Sequence, residues 1–271
     1  MKYALTSILA ALTVMLSLLT AAAQTPQEKG LAIAVEADKR DNGYGDSVAK
    51  LLMVLKNRHG AESRRKMRIK TLEVQGKGDI SEKGLIIFDS PPDVKGTAML
   101  TYTHKVDDDD QWLYLPALKR VKRISSSNRS GSFMGSEFSY EDLGGQEVEK
   151  YTYKWLHDEQ CPGDEYKQLN CFVYERYPKD KNSGYTRQVV RMDQKEYRPI
   201  KIDFYDRKKS LLKTLTGTDY KRYLGKYWRP NKMEMINHQS GKNTLLIYDN
   251  YNFRTGLKEN DFTQASLKRI R

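Results

Sequence analysis

From Arg64 onward, polar and apolar side chains change places every second residue, and this period constrains the fold more than any other feature of the chain. Lys66-Met67-Arg68-Ile69-Lys70 alternates cleanly. In an extended strand successive side chains point to opposite faces, so such a pattern describes a strand with one buried and one wetted side. Similar runs recur at Leu85–Phe88, Thr97–Lys105, Trp112–Leu115 and Leu118–Ile124, and again at Val148–Trp155, Gln168–Tyr177, Tyr185–Met192, Pro199–Tyr205, Leu211–Tyr223, Tyr227–Ile236 and Thr244–Phe253. Turn-forming groups separate them: Gly76-Lys77-Gly78-Asp79, Ser90-Pro91-Pro92-Asp93, Asp107 to Asp110, Lys181-Asn182-Ser183-Gly184 and Ser240-Gly241-Lys242-Asn243. No self-similarity at a period of about 20 to 50 residues is visible. The pattern predicts a mainly β protein: one antiparallel meander of about eleven or twelve strands forming a single wide, curled sheet.

A sheet must bury one face. Two segments ahead of Arg64 read as amphipathic helices able to cover it. Glu28 to Asp38 gathers Leu31, Ala34 and Val35, and Asp46 to Lys56 carries Val48, Leu51, Leu52 and Leu55 at helical spacing, with Asp46 or Ser47 as N-cap; Gly43-Tyr44-Gly45 is the loop between them. A sheet curled to a barrel-like radius encloses more space than its own side chains readily fill. The helices fill it, or a ligand does.

Residues 1–23 place Lys2 before an apolar run from Ala4 to Leu19 and end in Ala21-Ala22-Ala23. This is the layout of a secretory signal peptide cleaved after Ala23, too short for a membrane span. The expected mature chain is one domain, 24–271, exported to the periplasm; no Cys follows the apolar run, so the chain is not expected to be a lipoprotein of the usual bacterial kind. The only cysteines, Cys161 and Cys171, are expected to form a disulfide in that oxidising compartment. With 47 basic against 35 acidic residues the chain carries +12. Outside the cytoplasm such a balance points to anionic lipid, glycan or acidic protein rather than nucleic acid. An outer-membrane barrel is disfavoured, because Arg64–Lys70 and Arg187–Tyr197 place charges too densely for lipid-facing strands.

Catalytic signatures are missing. Gly131-Ser132-Phe133-Met134-Gly135 puts its serine in the wrong place for a nucleophile elbow. His59, His104, His157 and His238 are scattered and form no ligand pair. Asp107 to Asp110 lacks the alternation of a calcium loop, and Glu141-Asp142 is unremarkable in a chain with 30% charged residues. The expectation is a protein that is not an enzyme and needs no cofactor or metal.

The stretch QWLYLPALKRVKRI, Gln111 to Ile124, sets an aromatic strand before a cationic one, with Pro116 at the bend. The aromatic strand is expected to line an oily cavity through Trp112 and Tyr114, and the cations to stand at its rim, stems on apolar surface and heads in water. The Ser/Gly-rich run that follows, from Ser125 to Ser136, is expected to swing as a flap with Phe133, Met134 and Phe138 as its apolar pad, ahead of a short helix capped by Ser139.

The series FDSPPDVKGTAMLTY (Phe88 to Tyr102), QWLYLPALKRVKRI and SFMGSEFSYEDL (Ser132 to Leu143) resembles the LolA-like outer-membrane lipoprotein-sorting family, in the branch of larger proteins found alongside RND-type exporters. The resemblance implies a half-open barrel of one antiparallel sheet, plugged by helices, that carries acyl chains across the periplasm. On this reading the lipid-binding candidates are Leu51, Leu55, Met99, Trp112, Tyr114, Leu118, Phe133, Met134 and Phe138. Lys119, Arg120, Lys122 and Arg123 would contact headgroups or a partner. The partners expected are lipid or lipoprotein acyl chains and an inner-membrane RND-type exporter, with the carrier a monomer. The alternative is an adaptor that docks such an exporter without cargo.

Overall fold

The computed structural model describes residues 24–74, 76 and 78–269; residues 1–23, where a signal peptide is expected, and Gln75, Lys77, Ile270 and Arg271 lie outside the described residues. The chain opens with α1 (Pro26–Asp41), whose start is fixed by a capping box between Thr25 and Glu28 and by Pro26 in the first turn. Thirteen strands follow in one antiparallel sheet. The first six are β1 (Asp46–Lys56), β2 (Glu62–Glu73), β3 (Ile80–Ser90), β4 (Ala98–His104), β5 (Asp110–Leu115) and β6 (Arg120–Ile124). The other seven are β7 (Tyr151–Gln160), β8 (Asn170–Pro178), β9 (Tyr185–Asp193), β10 (Pro199–Asp206), β11 (Leu211–Tyr223), β12 (Tyr227–Asn237) and β13 (Asn243–Phe253), with a final turn of helix, α2 (Gln264–Leu267). Among the described residues no helix is long and apolar enough to cross a membrane.

The strand order, β6-β5-β4-β3-β2-β1-β13-β12-β11-β10-β9-β8-β7, places β1 and β13 at the centre. Each wing is a meander of hairpins running out from that centre. The sheet does not close, and its two free edges, β6 and β7, are consecutive in sequence.

One element expected from the sequence is corrected. Asp46 to Lys56 is not a second helix but β1, the central strand, paired along its whole length with Glu62–Leu72 of β2. An apolar run buried on both sides carries the spacing of either element. Here Ala49, Leu51 and Met53 are buried on one face and Val54 on the other, and the partners on both sides decide the matter. The helical plug is therefore α1 alone, longer than expected at both ends. The strand count is thirteen, because this segment joins the sheet.

One continuous apolar cluster fills the concave face: Leu51, Met53, Met67, Phe88, Met99 and Leu113 from one wing, Tyr153, Tyr174, Val190, Phe204 and Met235 from the other, with Ile33 and Ala34 of α1 laid against them. On the convex face Phe262 and Leu267 of the C-terminal segment cover Leu85, Ile87 and Leu100. A second convex cluster surrounds the Cys161–Cys171 disulfide, which forms as expected and packs on Tyr166 and Ile200. Elsewhere that face is wetted and laced with ion pairs, such as Arg191 with Glu159 at 2.8 Å and Asp203 at 2.7 Å.

α1 crosses to the β7 wing, and Gly30 lets its backbone approach closely. A Cβ at that position would lie 2.8 Å from the Trp155 nitrogen and 2.9 Å from the Lys154 nitrogen, both backbone atoms. Lys29 Nζ sits 3.5 Å over the Trp155 ring and the Arg40 guanidinium 4.2 Å over Tyr197, fastening both ends of the helix. Gly30→Ala should therefore lower stability by about 1–2 kcal/mol, since backbone on the far side cannot yield, although helix propensity alone would favour Ala by about 1 kcal/mol. Denaturant midpoints of the two proteins check the sign.

Candidate functional site

Because the sheet's edges are consecutive strands, the chain between them, residues 125–150, has to bridge the open side of the half-barrel. Its middle part folds as a miniature hairpin. Ser132 bridges Ser139, and the Phe133 amide donates to the Phe138 carbonyl at 2.7 Å. The tip turns through left-handed backbone at Met134 (φ 50°) and Gly135 (φ 76°). Both phenylalanines point into the concavity, Phe133 fully buried and Phe138 nearly so. The Phe133 ring lies 5.7 Å from Phe88 of β3 and 5.7 Å from Tyr140. The segment is a plug, seated on the apolar face it covers.

Polar bonds to strands of both wings hold it there. Arg65 of β2 donates to the Met134 carbonyl at 2.5 Å. The Glu137 amide donates to Thr244 Oγ1 of β13 at 3.0 Å, and Asn237 of β12 donates to Glu137 Oε2 at 2.7 Å. Gln111 of β5 donates to the Tyr140 carbonyl at 2.8 Å. The strongest latch is Lys213 of β11, whose ammonium donates to the Glu137 carbonyl at 2.9 Å and to Asp142 Oδ2 at 2.5 Å. Asp142 Oδ1 accepts from the Tyr185 hydroxyl at 2.7 Å. Burial first, and then the Asp142 carboxylate, push the Tyr185 phenol far above its ordinary range, so it stays a donor. Glu141 is raised by burial, against the opposing bonds from the Ser183 hydroxyl and the Gly184 amide.

At the end of the concave face where α1 stops, the Tyr44 hydroxyl donates to Glu82 Oε2 of β3 at 2.5 Å. Burial pushes Glu82 up to about 7; the Tyr44 bond works the other way, the charge of Asp41 adds to the rise, and Arg229 opposes it. Glu147 and Asp38 are also raised, chiefly by burial. Among the described residues one grouping has metal-ligand chemistry: Asp79, His104 and Asp107, with ligand atoms within 4.8 Å of one another. Asp79 already accepts from the Val106 and Asp107 amides and lies 3.0 Å from His104 Nδ1, so the group holds its turn together.

The structure redistributes the residues expected to meet lipid. Met99, Leu51, Phe133 and Phe138 are buried in the concave cluster, with Leu55 and Met134 partly buried against it. Trp112 and Tyr114 are not. They face the convex side, where Trp112 packs edge-on against Tyr102 at 5.1 Å beside the C-terminal segment. Leu113 and Leu115 of the same strand point inward instead. The alternation was legible, but no residue of β5 itself says which face is inside. Leu118 is 62% exposed in the turn after Pro116, so it lines no cavity. Lys119 occupies that turn with φ 47°, Arg120 and Lys122 stand opposite Leu115 and Leu113, and Arg123 pairs with Asp110 at 2.5 Å. The helix expected after Ser139 is a single turn, Glu141–Leu143, with Ser139 and Asp142 bonded to each other's amides. Lys213 had no signal in the sequence, where it reads as an ordinary strand cation.

A LolA superfamily protein from Nitrosomonas europaea shares this architecture, with a TM-score of 0.67 at 21% identity over 88% of this chain and 98% of that one. A DUF1329 family protein from Desulfovibrio piger is 31% identical over 90% of this chain and 99% of the other, TM-score 0.83. An outer membrane lipoprotein-sorting protein domain from Vibrio parahaemolyticus is 57% identical over 90% of this chain and all of its own, TM-score 0.85. The chain belongs to the outer membrane lipoprotein-sorting family of the Vibrio relative and has a LolA-like fold. A family model described as an uncharacterized protein also matches residues 81–269. No curated protein matches the chain.

Two outcomes check the electrostatics of the face. Lys213→Met should cost about 3–5 kcal/mol, because it strands a buried carboxylate, and Lys213→Met with Asp142→Asn should cost less than the sum of the single changes by about 1–3 kcal/mol in a denaturation cycle. Glu82 holds its proton more tightly folded than unfolded, so its contribution to stability is complete below its ordinary value of 4.5 and fades as pH rises towards about 7. Glu82→Gln keeps an acceptor for Tyr44 and should flatten stability across that window. At pH above the window it should gain about 1–2 kcal/mol, less than the full linkage value because the side chain is only partly buried.

Proposed function

We propose that the protein is a periplasmic, non-catalytic carrier that shields the acyl chains of a lipid or lipoprotein on its concave face, and that the 132–139 hairpin is the occupant the cargo displaces. The observation that carries this reading is the seating of Phe133 and Phe138 on an apolar surface shared by both wings. The family kinship supports it. The Vibrio relative is described as an outer membrane lipoprotein-sorting domain. Leu51, Met99, Leu113 and Leu115 are the proposed wall, with Leu55 at its margin. An RND-type exporter enters this reading as the machine that would supply or accept the cargo, and export after cleavage at Ala23 would bring the two together.

Magnitudes show how such a carrier can both hold and release. An acyl chain gains roughly 0.8 kcal/mol per buried methylene, so about a dozen give on the order of 10 kcal/mol before ordering costs. Lifting two phenylalanines off the face costs about 1.5–3 kcal/mol each, plus the polar bonds that latch them. A long chain outweighs the plug and a short one does not. Net affinity therefore stays moderate, which allows transfer onward.

Affinity for a series of fluorescent fatty acyl probes should rise steeply with chain length, with little binding below about six methylenes. Phe133→Ala with Phe138→Ala should strengthen binding by about tenfold or more despite lowering stability, while Leu113→Asp should weaken it. Equal affinities in all three proteins would remove the concave face from the function. Protein purified from its host should carry lipid visible by native mass spectrometry, which an adaptor without cargo would lack.

A further inference from the structure

The turn joining β5 to β6 and the last helical turn of the chain meet in a cleft of about 660 Å³ on the convex side of the free edge. Lys119, Arg120, Lys268 and Arg269 line it, with Gln264 and Ala265, and among the described residues no carboxylate does. Four cations sharing one cleft is what distinguishes it, since cations elsewhere on the surface occur both with and without an acidic partner. Arg123, three residues along β6, is paired with Asp110, and Arg68 with Asp89 at 2.8 Å. Beside the cleft, Leu118 stands 62% exposed at the crest of the turn, which is held by the Lys119 amide bonded to the Pro116 carbonyl at 3.0 Å.

We propose that this end of the molecule docks on the surface of an anionic phospholipid bilayer, with the four cations meeting headgroup phosphates and Leu118 reaching between them. Cations with no acidic partner among the described residues, around an exposed apolar side chain, fit an interface whose outer layer is anionic and whose next layer is oily. An acidic peptide would satisfy the charges and give Leu118 no place to go. The position matters too. β6 runs directly into Ser125 and the segment that plugs the half-barrel, so docking would bring the root of the plug to the lipid surface.

This goes beyond the carrier reading, and the test separates the two. The whole mature protein is sedimented with vesicles of phosphatidylglycerol and phosphatidylcholine, and with vesicles of phosphatidylcholine alone. Each cation near an anionic surface is worth about fivefold in partitioning. Lys119→Glu, Lys268→Glu and Arg269→Glu together should therefore lower binding to the anionic vesicles on the order of a hundredfold or more, with acyl-probe affinity in solution unchanged. Leu118→Gln, which changes no charge, should weaken anionic-vesicle binding but leave binding to soluble polyglutamate as it was. Failure of the unaltered protein to bind anionic vesicles, or equal binding by the triple variant, would overturn the docking proposal and leave the carrier reading standing. So would vesicle binding indifferent to Leu118→Gln, which would leave only a charge attraction that any polyanion satisfies.

Discussion

An open sheet whose two free edges are consecutive strands must send its connecting segment across its own mouth, and the rest of this molecule follows from that constraint. β6 and β7 lie at opposite ends of a thirteen-strand sheet, yet only residues 125–150 separate them. The bridge cannot avoid the concave face. Once there it must bury what that face offers, and Phe133 and Phe138 do so. The apolar interior is thus shared between the wall of the sheet and a segment laid over it, which in the proposed carrier is the part that cargo displaces.

The two kinds of contact holding the segment differ in how they yield. Its aromatic seating is non-directional, and another oily surface of similar area can replace it. The Lys213–Asp142–Tyr185 network is directional and buried, and breaking it strands charges. That network lies at the C-terminal end of the hairpin, while the tip at Met134 and Gly135 is held by the Arg65 bond to a carbonyl and by Glu137's bonds to Thr244 and Asn237. The arrangement favours a hinge near Asp142 and withdrawal of the tip. Gly144 and Gly145 pack so closely on Asp109 and Thr103 that the far root of the segment is fixed to the sheet. The near root is fixed as well, by the buried Arg129 paired with Asp108 at 2.9 Å and Asp180 at 2.6 Å, and an exchangeable tip between two fixed roots suits reversible displacement.

Much of the fold was legible because its signal is local. Alternation in runs such as Lys66–Lys70 and turn residues such as Ser240-Gly241 give strands and their joints without tertiary information. Asp46 to Lys56 was misread because a run buried on both faces loses its period, and only the partners on either side make it a strand. Phe133, Met134 and Phe138 stand out in the sequence as three large apolar residues in a Ser/Gly-rich stretch, and the structure seats them against the concave cluster. Trp112 and Tyr114 were assigned to the wrong face for the opposite reason. Which side of β5 is concave depends on the C-terminal segment, whose Phe262 and Leu267 are more than 140 residues away in sequence and cover the other side. Lys213 gains its meaning only from the loop that it latches.

In the proposed carrier the 132–139 hairpin and an acyl chain compete for one surface. Hydrogen exchange at the Phe133 amide, which is bonded to the Phe138 carbonyl at 2.7 Å while the hairpin is seated, reads that competition directly. Addition of a long-chain acyl ligand should speed exchange there and at neighbouring amides up to Ser139 while the amides of β1 and β13 stay protected. Unchanged protection of the hairpin under a ligand shown to be bound would contradict the account.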